Sequence, residues 1–119
     1  MENHRLVLPG DLNHYGFLFG GRLLAWVDEA AWIAASLDYP DHKFVTIGLD
    51  TVEFHHPVRQ GTILAIHCKN IRQGNTSVTY SVEVFDKQQK DQKIPIFSTR
   101  STFVAVDDSG NKVKIQPAP

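Results

Sequence analysis

What the chain has little of narrows its chemistry first. Its 119 residues include one cysteine, Cys68, which excludes an intramolecular disulfide and a multi-cysteine zinc site within one chain. No stretch stays apolar for the roughly 20 residues that a membrane span needs, and the opening "MENHRLVLPGDLN" has no basic segment leading into an apolar run. No membrane association is expected, and the cytoplasm is the expected compartment. Charge of one sign is missing as well. Twelve basic side chains meet 13 acidic ones for a formal net charge of −1, so no bulk field draws the protein to nucleic acid or an anionic bilayer. Any anionic ligand must be met by local donors. Internal repeats, low-complexity tracts and proline-, glycine- or serine-rich linkers are absent, as are a P-loop, a G-x-S-x-G elbow and a dinucleotide fingerprint. One domain covering residues 1–119 is expected to do everything.

What is present is 42% hydrophobic and 21% charged, the balance of a chain that packs a core. After a short candidate strand at residues 4–8, "PGDLNHYGFLFGG" forms a glycine-rich loop that opens into a helix over about residues 21–36, stopped by "DYPDHK". "KFVTIGLDTVEFHHPV" is β-branched and aromatic, and its apolar phase switches near Gly48, as a bulge makes it do. "TILAIHCKNI" and "TSVTYSVEVFD" pair as a hairpin, the second alternating Val78, Tyr80, Val82 and Val84 against Thr79, Ser81 and Glu83. "PIFSTRSTFVAVD" is a last long strand, and "NKVKIQPAP" reads as a loose tail. The order is β-α-β-β-β-β, an α+β arrangement in which one helix must cover one sheet face.

An angular projection of the helix places Val27, Ala30, Ala34 and Leu37 within roughly 40° of Leu23, which makes that arc the sheet-facing side. Trp26 and Ile33 on one flank, with Leu24, Ala31 and Ala35 on the other, extend the apolar surface beyond what one sheet buries. A second partner for the helix is expected. Arg22, Glu29 and Ser36 form the polar stripe, and Asp28 is off it, flanked by Leu24 and Trp32 one turn to either side. A carboxylate there is either a surface acid that reaches solvent or a group with chemistry to do. The loop before the helix favours the second use. Glycines 20 and 21 let a ligand approach the first free N–H groups of a helix, and Asn13 offers both a donor and an acceptor. Each of these signals also has a plain loop-forming explanation, an Asx turn for Asn13 among them.

Other candidates are weaker. His55 and His56 are neighbours on a strand and point to opposite faces, as do His67 and Cys68, so neither pair forms a metal site or a nucleophile–base dyad. Lys69, Arg72, Arg100, Lys112 and Lys114 are cations that could meet phosphates, Arg100 being the one taken as a substrate-binding candidate. No metal or cofactor is implied.

The run "DLNHYGFLFGGRLLAWVDEAA" resembles the signature of the hotdog-fold acyl-CoA thioesterases, and the likeness continues through "FVTIGLDTVEFHHPVRQGT" to "STFVAVDDSG". It is most similar to the acyl-CoA hydrolase branch. The resemblance implies a hotdog fold, an antiparallel sheet wrapped around one long helix, and hydrolysis of acyl-CoA to a free acid and CoA without a cofactor. It implies that Asp28 is a general base for water or a nucleophile forming a mixed anhydride. It further implies that Asn13 orients the thioester or water, that Gly20 and Gly21 donate to the oxyanion, and that Thr46 is a polar group on the substrate side. Two other readings fit the fold: an enoyl-thioester hydratase or dehydratase using His14 and Asp28, and a non-catalytic acyl-CoA-binding module.

Geometry adds a constraint independent of that likeness. Asp28 follows the glycines by seven to eight residues, roughly 11 to 12 Å along a helix, whereas a reacting carbon must lie about 3 Å from both nucleophile and oxyanion donor. One helix cannot supply both. A homodimer with antiparallel helices is the expected minimal unit, the aspartate of one chain meeting the glycines of the other, and the resembling family often assembles such dimers into tetramers or hexamers.

Overall fold

The computed structural model describes residues 1–89 and 94–116. Strand β1 (Glu2–Leu6) and a 3-10 turn (Pro9–Asp11) lead through the glycine loop into helix α1 (Gly20–Asp38). Strands β2 (Lys43–Phe54), β3 (Ile63–Gln73), β4 (Ser77–Asp86) and β5 (Phe97–Val106) follow. They form one antiparallel sheet of order β1-β3-β4-β5-β2. The helix packs against β2, β3, β4 and β5.

The pattern of buried residues follows from the two periodicities. On β4, Val78, Tyr80, Val82 and Val84 are buried and the residues between them are not, as one-sided coverage of a sheet requires. On α1, Leu23, Val27, Ala30 and Ala34 are buried, as are Trp26, Ala31 and Ala35. Small residues on this arc let the helix axis come close to the sheet. Leu37 departs from its expected place and is 69% exposed. At the last turn it is Tyr39, just beyond the helix, that turns inward, and its hydroxyl meets Gln73 and Asn70 at 2.8 Å each.

Residues 111–116 of the tail are also not loose. Ile115 is buried, and its N–H donates to the Asn75 carbonyl at 2.8 Å. Gln116 N–H donates to His42 Nε2 at 2.9 Å. One apolar side chain and these polar contacts hold the segment, which residue composition alone does not reveal. Residues 117–119 and 90–93, the latter within the basic loop after Lys87, lie outside the described residues.

Two irregularities shape β2. The register slips between Thr46 and Gly48, where the apolar phase changes, and again between Asp50 and Glu53. Within the second, Thr51 has φ 56°, a left-handed backbone that a β-branched residue seldom adopts. β2 is one edge of the sheet, and Phe44 is its one buried residue. Val45, Ile47, Val52 and Phe54 on β2, with Phe19 and Trp32 on the helix side, are exposed. A long apolar edge of this kind is a template for pairing with another strand.

Candidate active site

The site residues fall into two groups along α1. The first is built by the loop before the helix. Asn13 Oδ1 accepts the N–H groups of Tyr15 at 2.9 Å and Phe17 at 3.1 Å, while its own backbone N–H donates to the Phe17 carbonyl at 2.7 Å. The Asx turn therefore forms, and it uses the carboxamide oxygen. The Nδ2 group has no hydrogen-bond partner among the described residues, so Asn13 presents a donor, not an acceptor.

Glycines 20 and 21 open α1 after Phe19, which has no capping side chain. The first intrahelical donors to find acceptors are Arg22 and Leu23, both on the Phe19 carbonyl. The N–H groups of Gly20 and Gly21 have no partner among the described residues, as is expected of a helix start without a cap. Neither glycine has a positive φ, in contrast to Gly16, Gly61 and Gly110. Backbone strain is thus not the reason for glycine at these two positions. A Cβ on Gly20 would lie 3.4 Å from the Phe54 ring, an ordinary contact, whereas one on Gly21 would lie 2.9 Å from the Phe19 ring. At Gly20 the absent side chain leaves the backbone open to approach. Asn13 and Gly20 line one cleft of about 330 Å³, whose walls include Phe17, Leu23, Phe54, His55 and His56.

The second group lies two turns further along the helix. Thr46, on the helix-facing side of β2, donates its hydroxyl to Asp28 Oδ1 at 2.8 Å. The bond fixes the carboxylate's orientation, and Oδ2 has no partner among the described residues. One turn on, Trp32 Nε1 donates to the Phe44 carbonyl at 3.1 Å and ties the helix to the same strand. Asp28 is half-buried and does not line the cleft that holds Asn13 and Gly20. A single chain therefore brings Asp28 to Thr46, and Asn13 to Gly20, without joining the two pairs.

The remaining candidates are placed elsewhere. Arg100 lies opposite Asp50 and Ser81 in the sheet register, between the buried Thr99 and Ser101. It is therefore on the face turned away from the helix and does not join Asp28 within one chain. His14 is exposed, with its ring 3.9 Å from that of Tyr15. Two of the three stripe residues are solvated, Glu29 taking Arg5 at 2.7 Å and Arg22 lying 3.5 Å from Asp11, whereas Ser36 Oγ is buried without a hydrogen-bond partner among the described residues. His55 and His56 stand beyond the end of β2, on the cleft wall. The proline that follows them was the available signal, since it breaks the strand and turns the chain at that point. No cluster of three or more metal-ligating side chains occurs among the described residues, and no described helix is long and apolar enough to cross a membrane.

Residues 15–93 match the family model described as the thioesterase superfamily. The acyl-CoA thioester hydrolase YciA of Salmonella typhimurium is 30% identical, over 96% of this chain and 86% of that protein. The hexameric thioesterase y2039 of Yersinia pestis superposes with a TM-score of 0.86 at 30% identity, covering 96% of this chain and 93% of that one. An acyl-CoA hydrolase from Staphylococcus aureus has been solved as alanine variants of an aspartate, an asparagine and a threonine. Its asparagine variant, in complex with CoA, has a TM-score of 0.86 at 30% identity and covers 98% of this chain and 70% of that one. In that enzyme the asparagine and aspartate are separated by the same interval as Asn13 and Asp28.

Proposed function

The chain belongs to the thioesterase superfamily, and on that premise we propose that it hydrolyses acyl-CoA thioesters at sites shared between the two chains of a homodimer. The observation that carries the reading is the separation along α1. A carboxylate on α1 oriented by Thr46 lies two turns from a set of unpartnered donors at Gly20 and Gly21, which open the same helix, and at Asn13 in the loop before it, too far apart to act on one carbon. Antiparallel pairing of two helices joins them. The exposed apolar edge of β2, with Phe19 and Trp32, supplies the surface for that pairing. Assembly into a hexamer follows the hexameric relatives.

In this site the thioester carbonyl accepts from the Gly20 and Gly21 N–H groups and from Asn13 Nδ2 of one chain. Asp28 Oδ2 of the other takes a proton from a water molecule as the water oxygen attacks the carbonyl carbon. The oxyanion draws its stabilisation from donors that are already in place and need no reorganisation. Collapse re-forms the carbonyl, breaks the carbon–sulfur bond and releases the CoA thiolate, which takes the proton from Asp28. Single turnover in ¹⁸O-water tests this route: it delivers the label only to the acid product, whereas label in Asp28 would show that the carboxylate had formed a mixed anhydride opened by water at the Asp28 carbonyl.

Complementation tests the shared site. Asp28→Ala removes the base and is expected to cost at least about a hundredfold in thiol release. Asn13→Asp keeps an oxygen for the Tyr15 and Phe17 N–H groups but removes the donor. When the two inactive variants are co-assembled, each mixed dimer has one doubly altered site and one intact site, so about a quarter of the parent activity is expected from random pairing. Verified mixed dimers without any recovered activity would contradict the shared-site arrangement.

A further inference from the structure

Across a ridge from the cleft holding Asn13 and Gly20 lies a second one, of about 360 Å³, and the two share His56, Pro57 and Val58 as a common wall. Each is within the size range of small-molecule sites, and the shared wall makes them neighbours. The first cleft offers Phe17, Leu23 and Phe54 beside the free donors. The second is lined by Arg59 and Thr62, with Asp86 on its wall. Arg59 lies where the two meet: its guanidinium carbon is 5.3 Å from the centroid of the Phe17 ring, a wall of the first cleft, while its side chain lines the second.

Two features make this arginine suited to a ligand. Stacking on Phe17 holds the guanidinium plane and reduces the rotamer freedom lost on binding. Its fork of N–H groups has no hydrogen-bond or ion-pair partner among the described residues, and such a fork matches the oxygens of a phosphate in a bidentate manner. With a net charge of −1 for the whole chain, there is no general field to hold an anion, so a phosphate must be met by a placed cation. Asp86, on the wall of the same cleft, accepts the Gln88 N–H at its Oδ1 at 3.0 Å.

We propose that Arg59 anchors the phosphate-bearing end of acyl-CoA in the second cleft, with the thioester lying in the first and the pantetheine arm crossing the His56–Pro57–Val58 ridge between them. This rests on the acyl-CoA reading above. Arg59 is exposed on a turn, so its replacement leaves the core intact.

The test compares an acyl-CoA with the same acyl group on pantetheine, which lacks the diphosphate and nucleotide. In Arg59→Ala the preference for the CoA thioester, as a ratio of kcat/KM values, is expected to fall by about tenfold or more, through KM and not kcat. Arg59→Lys is expected to recover part of it, because the charge returns without the fork. Calorimetric binding of free CoA against pantetheine gives the same comparison without turnover. Unmodified protein that hydrolyses neither thioester would refute the hydrolase reading, while loss of CoA affinity in Arg59→Ala would still support the anchor. An unchanged ratio and unchanged CoA affinity, or an equal loss for both ligands, would overturn it.

Discussion

The two ends of α1 are treated in opposite ways. At its C-terminal end most polar groups are matched, the buried Ser36 Oγ being the exception: Tyr39 N–H donates to the Ala35 carbonyl, and Asp38 Oδ2 takes the buried Tyr80 hydroxyl at 2.6 Å. The Tyr39 hydroxyl donates to Gln73 Oε1 and accepts from Asn70 Nδ2. At the N-terminal end the Gly20 and Gly21 N–H groups and Asn13 Nδ2 have no such partners among the described residues, and Asn13 and Gly20 line a cleft. Leaving donors unmatched costs stability unless water or a ligand supplies the acceptor. The matched end fastens the helix to the sheet, and the open end leaves free the donors that the proposed site uses for the thioester.

Gly20→Ala is the strongest way to break this contrast. With no positive φ and room for a methyl group against Phe54, the fold should accept it, and alanine is the better helix former. A thermal midpoint no lower than the parent's is expected. In the proposed site the methyl group would nevertheless stand beside the N–H that receives the thioester oxygen, and loss of an oxyanion donor typically costs about a hundredfold or more in turnover. Thiol release measured alongside thermal unfolding separates the two effects. Undiminished turnover would mean that the first turn of α1 does not contact the reacting group.

The sequence makes one end of the molecule much more legible than the other. Alternation on β4 and the apolar arc of α1 identify the core because burial follows fixed periods, and the phase switch at Gly48 coincides with a register slip in β2. Asp28 stands out for the same reason, as an acid away from the polar stripe. Its bond to Thr46 does not, because eighteen residues separate the two and strand order brings them together. The face occupied by Arg100 is obscured by the hydroxyls on both sides of "FSTRSTF", although Phe97 and Phe103 share the parity opposite to its own. The docked tail and the second cleft are tertiary in origin: Ile115 finds its place beside Asn75 only once β3 and β4 are paired. In the same way, Arg59 becomes a candidate only when Phe17 lies beneath it.

Tyr80→Phe probes the matched end, with a smaller effect. The side chain is almost fully buried and its ring packs edge-on to Phe103 at 6.3 Å, so removing the hydroxyl preserves volume. The loss is the bond to Asp38, an acid placed unfavourably near the negative end of the helix dipole. About 1 kcal/mol of stability should be lost in denaturant unfolding. A drop well beyond that would point to collapse of the neighbouring Tyr39–Asn70–Gln73 contacts as well.

The smallest effect concerns pH, and it too belongs to the closed part of the molecule. Burial pushes the Cys68 thiol up from 9.0 to about 11, and burial together with the bond to Asp38 raises the Tyr80 hydroxyl as well. Both groups are held in their neutral forms when folded, so the unfolded chain loses these protons first as pH rises. For Cys68 the stabilisation relative to the unfolded chain is complete below pH 9 and is lost progressively as pH climbs towards 11. Unfolding midpoints should therefore decline across that window and not below it, with Cys68→Ala flattening the part due to the thiol. The same shift predicts that Cys68 stays unreactive toward thiol reagents at pH 8 until the protein unfolds, so a thiol-release assay reads CoA alone; rapid labelling of the folded protein would show instead that this part of the sheet opens readily.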